Sequence, residues 1–268
     1  MRWTLLLHGV TLWLGSEAAR AQSAPPVRIA VEMAADPWAR PDGSGFANEV
    51  VRRAFAAVGG SVDVMVVPYA RCRRMVLSGD VVACLLMSAA PDLAGRVDFP
   101  PVPLVRCRTL LLRARLARGS VRRLADLSKG ASVGVVRGYE YPPAVGAAAH
   151  VGDIRLEYSD SEEMMLRKLA AGRLSAAIVN VDESRSLAFI RARAGVADVV
   201  EPVAQLGVLE SHIGFSRVHP QGARALADFT RGWRLLEQRG VVRQLEREWR
   251  DSADAVVRAA QASTVAHP

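Results

Sequence analysis

The stretch "FANEVVRRAFAAVGG" at residues 46–60 runs directly into "SVDVMVVP" at residues 61–68, and this pair decides the fold class. The second stretch is a run of β-branched residues typical of a strand, and "VRIAVEM" at 27–33 is a similar run ahead of the helix. A strand–helix–strand order predicts an α/β architecture. The helix prediction rests on apolar residues at helical spacing before a Gly pair, namely Phe46, Val50, Val51, Ala54, Phe55 and Val58.

The same alternation continues outward along the chain. Further strands are predicted at "VVACLLMS" (81–88), "VPLVRCRTLLLRA" (102–114), "ASVGVV" (131–136), "DIRLEYS" (153–159), "SAAIVNV" (175–181) and "HIGFSR" (212–217). Helices are predicted at 70–80, 120–130, 142–149, 160–173, 221–240 and 241–250. Residues 251–268 carry no strong pattern and are predicted to form a C-terminal tail.

The N-terminus has the pattern of a secretory signal. A short basic start precedes the hydrophobic run "WTLLLHGVTLWLG", and Ala19-Arg20-Ala21 supplies small residues for cleavage. We therefore expect residues 1–21 to be removed and the mature chain to be exported. The net charge of +8 comes from arginines spread along the sequence, so a nucleic-acid partner is not predicted.

Motifs for several kinds of chemistry are missing from the sequence. It contains no G-x-G-x-x-G or P-loop motif, no G-x-S-x-G, and no pair of His residues at metal-ligand spacing. Neither a cofactor, a metal nor a catalytic residue is therefore predicted. The three Cys residues leave at least one unpaired, and buried thiols are favoured over a Cys84–Cys107 disulfide.

Aromatic side chains stand where predicted strands end, although aromatic residues make up only 6% of the chain. Trp38 follows the first strand, Tyr69 follows the second, and Tyr139 and Tyr141 follow "ASVGVV" with Glu140 between them. Ligands of open α/β sheets bind beyond the carboxyl ends of the strands, and aromatic rings are common pocket walls there. These residues predict a cleft for a small-molecule ligand.

In order and spacing, the phrases "DGSGFANEVVRRAF", "VPYARCRRMVLSGD", "RRLADLSKGASVGVVRG" and "LRKLAAGRLSAAIVN" resemble the bacterial periplasmic solute-binding proteins of family 3, the amino-acid type that serves ABC importers. The resemblance covers most of residues 27–250. It implies a two-lobed α/β fold, each lobe a mainly parallel sheet flanked by helices, with two crossover strands as a hinge. Lobe 1 would be 22–112 plus 212–250, and lobe 2 would be 113–211.

The family's ligand-binding positions fall on changed residues in this sequence. The Arg that holds a ligand carboxylate in the family aligns with Leu93, while Ser88 keeps a hydroxyl nearby. The Asp that binds the ligand ammonium aligns with Asn180, with Asp182 as a shifted substitute. Arg71 or Arg137 would be an alternative cation, and Glu140 near the usual carboxylate position would repel a carboxylate. A standard α-amino acid held in the standard way is therefore not expected.

The resemblance implies a monomeric periplasmic protein that captures a small polar or aromatic solute for a membrane ABC permease. Two alternatives remain. One is a dehydratase acting on a cyclic acid such as prephenate, as some proteins of this fold do, with Glu140 as general acid. The other is a sensory or accessory binder for a membrane partner.

Overall fold

Strands and helices alternate from Val27 onward in the computed structural model, which describes residues 25–117, 119–197 and 199–265. The predicted signal at 1–21 lies outside the described residues. The strands are β1 (Val27–Glu32), β2 (Val62–Val67), β3 (Ala83–Ser88), β4 (Val97–Asp98), β5 (Val105–Ala114), β6 (Ala131–Val136), β7 (Ile154–Ser159), β8 (Ala176–Val181) and β9 (Val200–Ser216). The helices are α1 (Phe46–Ala56), α2 (Tyr69–Ser78), α3 (Pro143–His150), α4 (Glu162–Ala170), α5 (Leu187–Ala194), α6 (Gly222–Gln238) and α7 (Val241–Val265).

Two groups of parallel strands are joined by two long antiparallel strands. The sheet order is β2-β1-β3-β9-β5-β8-β6-β7, with β4 paired to β9. Strand β1 is parallel to β2 and β3, and β6 is parallel to β7 and β8. We call β1–β4 with their helices the first lobe and β6–β8 with theirs the second lobe. Strands β5 and β9 pair with each other along their length and connect the lobes. The mixed α/β fold class predicted from the sequence is confirmed, while the exact lobe boundaries stay a prediction.

The start of α1 is held against the loop that follows β1. Gly45, just before the helix, has φ 128°, and a Cβ there would lie 2.5 Å from the carbonyl oxygen of Trp38. Only glycine avoids this clash. The close approach fixes the position of Trp38, which is 5% exposed.

Three segments differ from the sequence prediction. Residues 120–130 form only a single 3-10 turn at Leu124–Asp126 instead of a helix, since only Leu124 of that turn is buried. Helix α5 was not predicted, although Ser186 caps its N-terminus and Gly195 closes it in the left-handed conformation. The supposed tail continues α7 as far as Val265, because Ala253, Val256 and Val257 present an apolar face to the second lobe.

The cysteines also differ from expectation. Cys72 on α2 and Cys84 on β3 form a disulfide, with the two Cα atoms 5.6 Å apart. Helix α2 packs over β3, which brings these two residues together and leaves Cys107 as the free thiol, buried on β5. The expectation that all three are thiols was wrong, and so was the alternative Cys84–Cys107 bridge. Burial raises the pKa of the Cys107 thiol to about 12, so the thiol stays protonated at neutral pH.

Candidate functional site

The carboxyl ends of β1, β3, β6 and β8 meet between the two lobes, as the rule for open α/β sheets predicts. They enclose a cavity of about 20 Å³ that has both polar and aromatic walls. Its lining consists of Glu32, Ala35, Trp38, Leu86, Ser88, Tyr139, Glu140, Asn180, Leu209 and Ser211. A space of this size holds about one water molecule, so the two lobes are closed upon each other in this structure.

Glu140 of the second lobe is bound by three donors of the first lobe. The Tyr69 hydroxyl donates to Glu140 Oε2 over 2.6 Å, and Arg73 Nε donates to Oε1 over 3.1 Å. The backbone N–H of Ser88 makes a longer contact of 3.4 Å. Burial raises the pKa of the Glu140 carboxyl, while these donors oppose that shift. Glu140 is therefore a buried acid held mainly by interlobe contacts.

Tyr139 makes the reciprocal contact from the second lobe to the first. Its hydroxyl donates a hydrogen bond to Glu32, the last residue of β1. Its ring meets the Tyr69 ring edge-on, with centroids 5.1 Å apart. Glu32 is 2% exposed, and burial raises the pKa of its carboxyl to about 7. Because no ion pair of Glu32 is found in the part of the chain described, its charge is stabilised mainly by a neutral hydroxyl.

Trp38 forms a third bridge between the lobes. Its indole Nε1 donates to Asp182 Oδ2 over 2.9 Å and lies 3.2 Å from Ser184 Oγ. Asp182 Oδ1 accepts from the backbone N–H of Arg185 at 2.6 Å. Burial raises the pKa of the Asp182 carboxyl. Asp182, the shifted substitute predicted from the sequence, thus lies at the interface between the lobes.

A buried ion pair between Arg185 and Glu162 holds the loop that contains Asp182. Arg185 is 3% exposed, and its guanidinium lies 2.5 Å from Glu162 Oε2. It also donates to the carbonyl oxygens of Asn180 and Asp36, at 2.7 and 2.9 Å, and stands 5.0 Å from the centre of the Trp38 ring. The positive charge of Arg185 is therefore matched by Glu162 and fixes the backbone around the cavity.

Ser88 and Asn180 also line the cavity, at the ends of β3 and β8. The Ser88 hydroxyl lies 3.3 Å from that of Ser211. The side-chain oxygen of Asn180 accepts from Thr109 over 2.8 Å. This bond orients the amide and leaves its NH₂ group as a donor to anything bound beside it.

Leu86 gives the cavity a strained wall. It has φ 62° although it is not glycine, and it sits where the pairing of β3 with β9 shifts register between Cys84 and Met87. A left-handed conformation costs roughly 1–2 kcal/mol for a residue with a Cβ. Strain of this kind concentrates at binding sites, where the surrounding fold holds it in place.

Other residues considered from the sequence lie elsewhere. The Tyr141 hydroxyl accepts from the backbone N–H of Val136 at 2.7 Å, and its ring packs in the core of the second lobe. Arg71 is exposed, and Arg73, one half-turn further along α2, contacts Glu140 instead. Arg137 is exposed and lies 3.5 Å from Asp160. Leu93 is 1% exposed and belongs to the core of the first lobe.

Four charged residues of the site were missed at the sequence level: Glu32, Arg73, Glu162 and Arg185. Glu32 left a usable signal, because a carboxylate ends the otherwise apolar strand "VRIAV" at the edge where ligands bind. Glu162 and Arg185 gave none, since their pairing joins distant parts of the sequence. Among the described residues no cluster of three or more His, Cys, Asp or Glu side chains is arranged to hold a metal ion.

Comparison with known proteins identifies the fold but not a family. No family model matches the sequence. No curated protein matches it either. Among solved structures, a histidine kinase sensor domain with similarity to periplasmic binding proteins is 19% identical, with a TM-score of 0.73 over 85% of this chain and 96% of its own. The chain has the two-lobed periplasmic-binding-protein fold.

Two further structures with this fold are amino-acid-binding proteins. An ancestral arginine-binding protein bound to arginine is 18% identical, with a TM-score of 0.71 over 85% of this chain and 99% of its own. The ancestral amino-acid-binding protein AncCDT-1, a precursor of cyclohexadienyl dehydratase, is 15% identical, with a TM-score of 0.65 over 84% of this chain and 94% of its own. At these identities the likeness concerns the fold alone. None of the described helices has the length and apolar character needed to span a membrane.

Proposed function

We propose that this chain is an exported binding protein that closes its two lobes around a small, amino-acid-like solute carrying a positive charge. The observation that carries the proposal is Glu32, a buried carboxylate in the cavity wall whose hydrogen bond comes from the neutral Tyr139 hydroxyl. A buried carboxylate is costly without a cation. An ammonium or guanidinium group of a ligand would supply that cation in a charge-assisted hydrogen bond.

The charges around the cavity support a cationic ligand over an anionic one. Glu32 and Glu140 line it, and among the described residues no arginine or lysine does so. Arg73 contacts Glu140 but is also paired with Asp92 on its other side. Leu93, where the family would place a carboxylate-binding arginine, is buried in the first-lobe core. A solute carboxylate would therefore meet acids rather than a free guanidinium.

The closed cleft must open for such a solute to enter. Opening would separate three aromatic donors from their acids: Tyr69 from Glu140, Tyr139 from Glu32, and Trp38 from Asp182. Strands β5 and β9 connect the lobes and are the natural hinge. The solute would then take over the contacts that these donors make in the closed form. Delivery to a membrane ABC permease, export through residues 1–21 into the periplasm and a monomeric state belong to the same proposal.

A thermal-shift screen tests the proposal directly. The panel contains basic amino acids, polyamines, aromatic amino acids, dicarboxylates and aromatic acids. A ligand at 100 times its Kd adds about 2.7 kcal/mol to the free energy of unfolding. We expect shifts with cationic members, which Glu32→Gln and Trp38→Ala should abolish. Glu157→Gln on β7 is the matched control and should keep the shift, because this half-exposed carboxylate pairs with Arg155 and does not line the cleft.

Two outcomes would contradict this assignment. One is a shift with cations that survives in both Glu32→Gln and Trp38→Ala, because the cleft would then not be the binding site. The other is a shift confined to carboxylate compounds without a positive charge, because the solute class would then be wrong.

A dehydratase is the second candidate, and the raised pKa of Glu140 is the observation that favours it. A carboxyl whose pKa is raised can donate a proton to a leaving hydroxyl. The test is incubation of the pure protein with prephenate and spectroscopic detection of the aromatic product. Turnover that disappears in Glu140→Gln would establish the enzyme, and turnover no faster than the uncatalysed background would remove this candidate.

A further inference from the structure

A second and much larger cavity lies away from the strand ends. It is a groove of about 830 Å³ between β5, the loop after β8 and α7, and it shares no lining residue with the cavity described above. This volume falls within the roughly 300–1,000 Å³ typical of small-molecule sites. The solute-binding role proposed above does not use this groove.

Arginines from two elements converge on the groove. Arg106 and Arg108 alternate along β5 and so project on the same face of the strand. Arg243, Arg247 and Arg250 follow one another at the i, i+4, i+7 spacing of a single helix face on α7. Like charges on facing elements repel unless an opposite charge lies between them. A bound anion between the arginines of β5 and those of α7 would therefore neutralise part of their charge and reduce their repulsion.

The protein's own acids neutralise only part of this charge. Arg106 pairs with Glu210 at 2.9 Å, and Arg250 pairs with Glu183 at 2.8 Å. Within the described ranges Arg108, Arg243 and Arg247 take part in no ion pair, and all three are exposed. The lining as a whole holds these five arginines against Asp182, Glu183 and Glu246. Asp182 is already hydrogen-bonded to Trp38.

The floor of the groove is apolar. Phe46, Leu104 and Val105 line it and are each 4% exposed. The site thus offers an apolar surface for the carbon skeleton of a ligand beneath several guanidinium groups. Guanidinium groups bind carboxylate and phosphate oxygens in a bidentate manner.

We propose that the groove between β5 and α7 is a second binding site, which takes a small multivalent oxyanion, with Arg108, Arg243 and Arg247 as the principal donors. Carboxylates and phosphates share this chemistry. The volume of about 830 Å³ fits a small molecule, and three guanidinium groups without an ion pair among the described residues can each donate to a separate negative group on it. The groove shares no lining residue with the solute cleft, so it can be tested without knowing the solute.

Isothermal titration of the full chain at low salt tests the site, with citrate and pyrophosphate as the two probes and acetate as the monovalent control. We expect at least one of the multivalent probes to bind with one-to-one stoichiometry, at least 10-fold more tightly than acetate. Tighter binding of citrate would indicate a carboxylate ligand, and tighter binding of pyrophosphate would indicate a phosphate ligand. The double variant Arg108→Gln, Arg247→Gln should weaken that binding by at least 10-fold.

The matched control is the double variant Arg71→Gln, Arg122→Gln, which removes the same charge from exposed positions outside the groove. It should keep the affinity within about twofold. Equal weakening in both double variants would mean diffuse attraction to a basic protein and would overturn the proposal. So would multivalent probes that bind no better than acetate. Since all four arginines are exposed, both variants should fold, and circular dichroism at the start of each titration checks this.

Discussion

Glu32 provides the sharpest test of how the closed cleft is held, because its charge can be removed without changing its shape. Glu32→Gln keeps an oxygen that can accept from the Tyr139 hydroxyl. It eliminates the ionised form that burial disfavours. The variant should therefore be more stable than the parent protein at any pH at which Glu32 of the parent is ionised.

The magnitude follows from the pKa. In the folded protein burial raises the pKa of Glu32 from 4.5 to about 7, a difference that corresponds to about 3 kcal/mol. The folded state holds this proton more tightly than the unfolded state does, so protonation favours folding. The stabilising effect is fully present below pH 4.5 and is lost as the pH rises through 7. Burial raises the pKa values of Glu140 and Asp182 as well, so their contributions have the same sign.

Urea denaturation at pH 5, 6, 7 and 8 measures the effect. The free energy of unfolding of the parent should fall by about 2–3 kcal/mol between pH 5 and pH 8 through Glu32 alone. Glu32→Gln should lose that part of the pH dependence and exceed the parent by about 3 kcal/mol at pH 8. Glu157→Gln, a half-exposed change on β7, should keep the fall in stability between pH 5 and pH 8 that Glu32 causes in the parent. The reasoning is refuted if Glu32→Gln shows the parent's full pH dependence, or if it is no more stable than the parent at pH 8.

Three further changes test the scaffold around the site. Cys72→Ala removes the disulfide, which closes a loop of sequence separation 12, and should lower the free energy of unfolding by about 3 kcal/mol. Dithiothreitol should destabilise the parent but not this variant. Cys107→Ala is the control and should remain sensitive to dithiothreitol; if it is insensitive, the Cys72–Cys84 pairing is wrong. Gly45→Ala should lower the free energy of unfolding by several kcal/mol, roughly the sum of a backbone penalty at positive φ and a clash with the Trp38 carbonyl. A melting temperature within 2 °C of the parent would count against this close approach. Tyr69→Phe removes the hydroxyl that donates to buried Glu140 over 2.6 Å and should lower the free energy of unfolding in urea by about 1–3 kcal/mol. An unchanged free energy of unfolding would mean that this bond is not formed in solution and that the cleft is open.

Periodicity predicted most of the helices and strands, whereas the two-lobed arrangement was implied only by the family resemblance. Residues 46–60 show why: their apolar residues recur at helical spacing and a Gly pair follows, so the local pattern and the observed helix agree. The pattern failed where local and long-range information diverge. Residues 120–130 have helical spacing, but Leu124 is their only fully buried residue, and only a 3-10 turn forms. The opposite holds at 251–265, where a weak apolar pattern becomes a helix because the second lobe covers it.

The sequence predicted where the site lies better than it predicted which residues contact each other there. The rule that ligands bind at strand ends brought Trp38, Tyr69, Tyr139 and Glu140 into one region, and the structure places them together there. The acceptor of the Tyr139 proton, Glu32, lies 107 residues away in sequence. No spacing rule reaches that far. Which arginine of α2 faces the cleft likewise depends on the rotation of the helix about its axis, which the sequence pattern fixes only to within a residue or two.

The three bridges across the cleft have one feature in common that bears on selectivity. In each, a neutral aromatic donor meets a carboxylate: Tyr69 meets Glu140, Tyr139 meets Glu32, and Trp38 meets Asp182. A solute that enters must displace at least some of these donors. A neutral polar solute would exchange one neutral donor for another, with little net gain, whereas a cation would add Coulombic attraction to its hydrogen bond with the acid. An anion would leave the acids both unpaired and repelled. We infer that the closed form itself favours cationic solutes, because only a cation gains Coulombic energy with Glu32, Glu140 and Asp182 when it replaces their neutral donors.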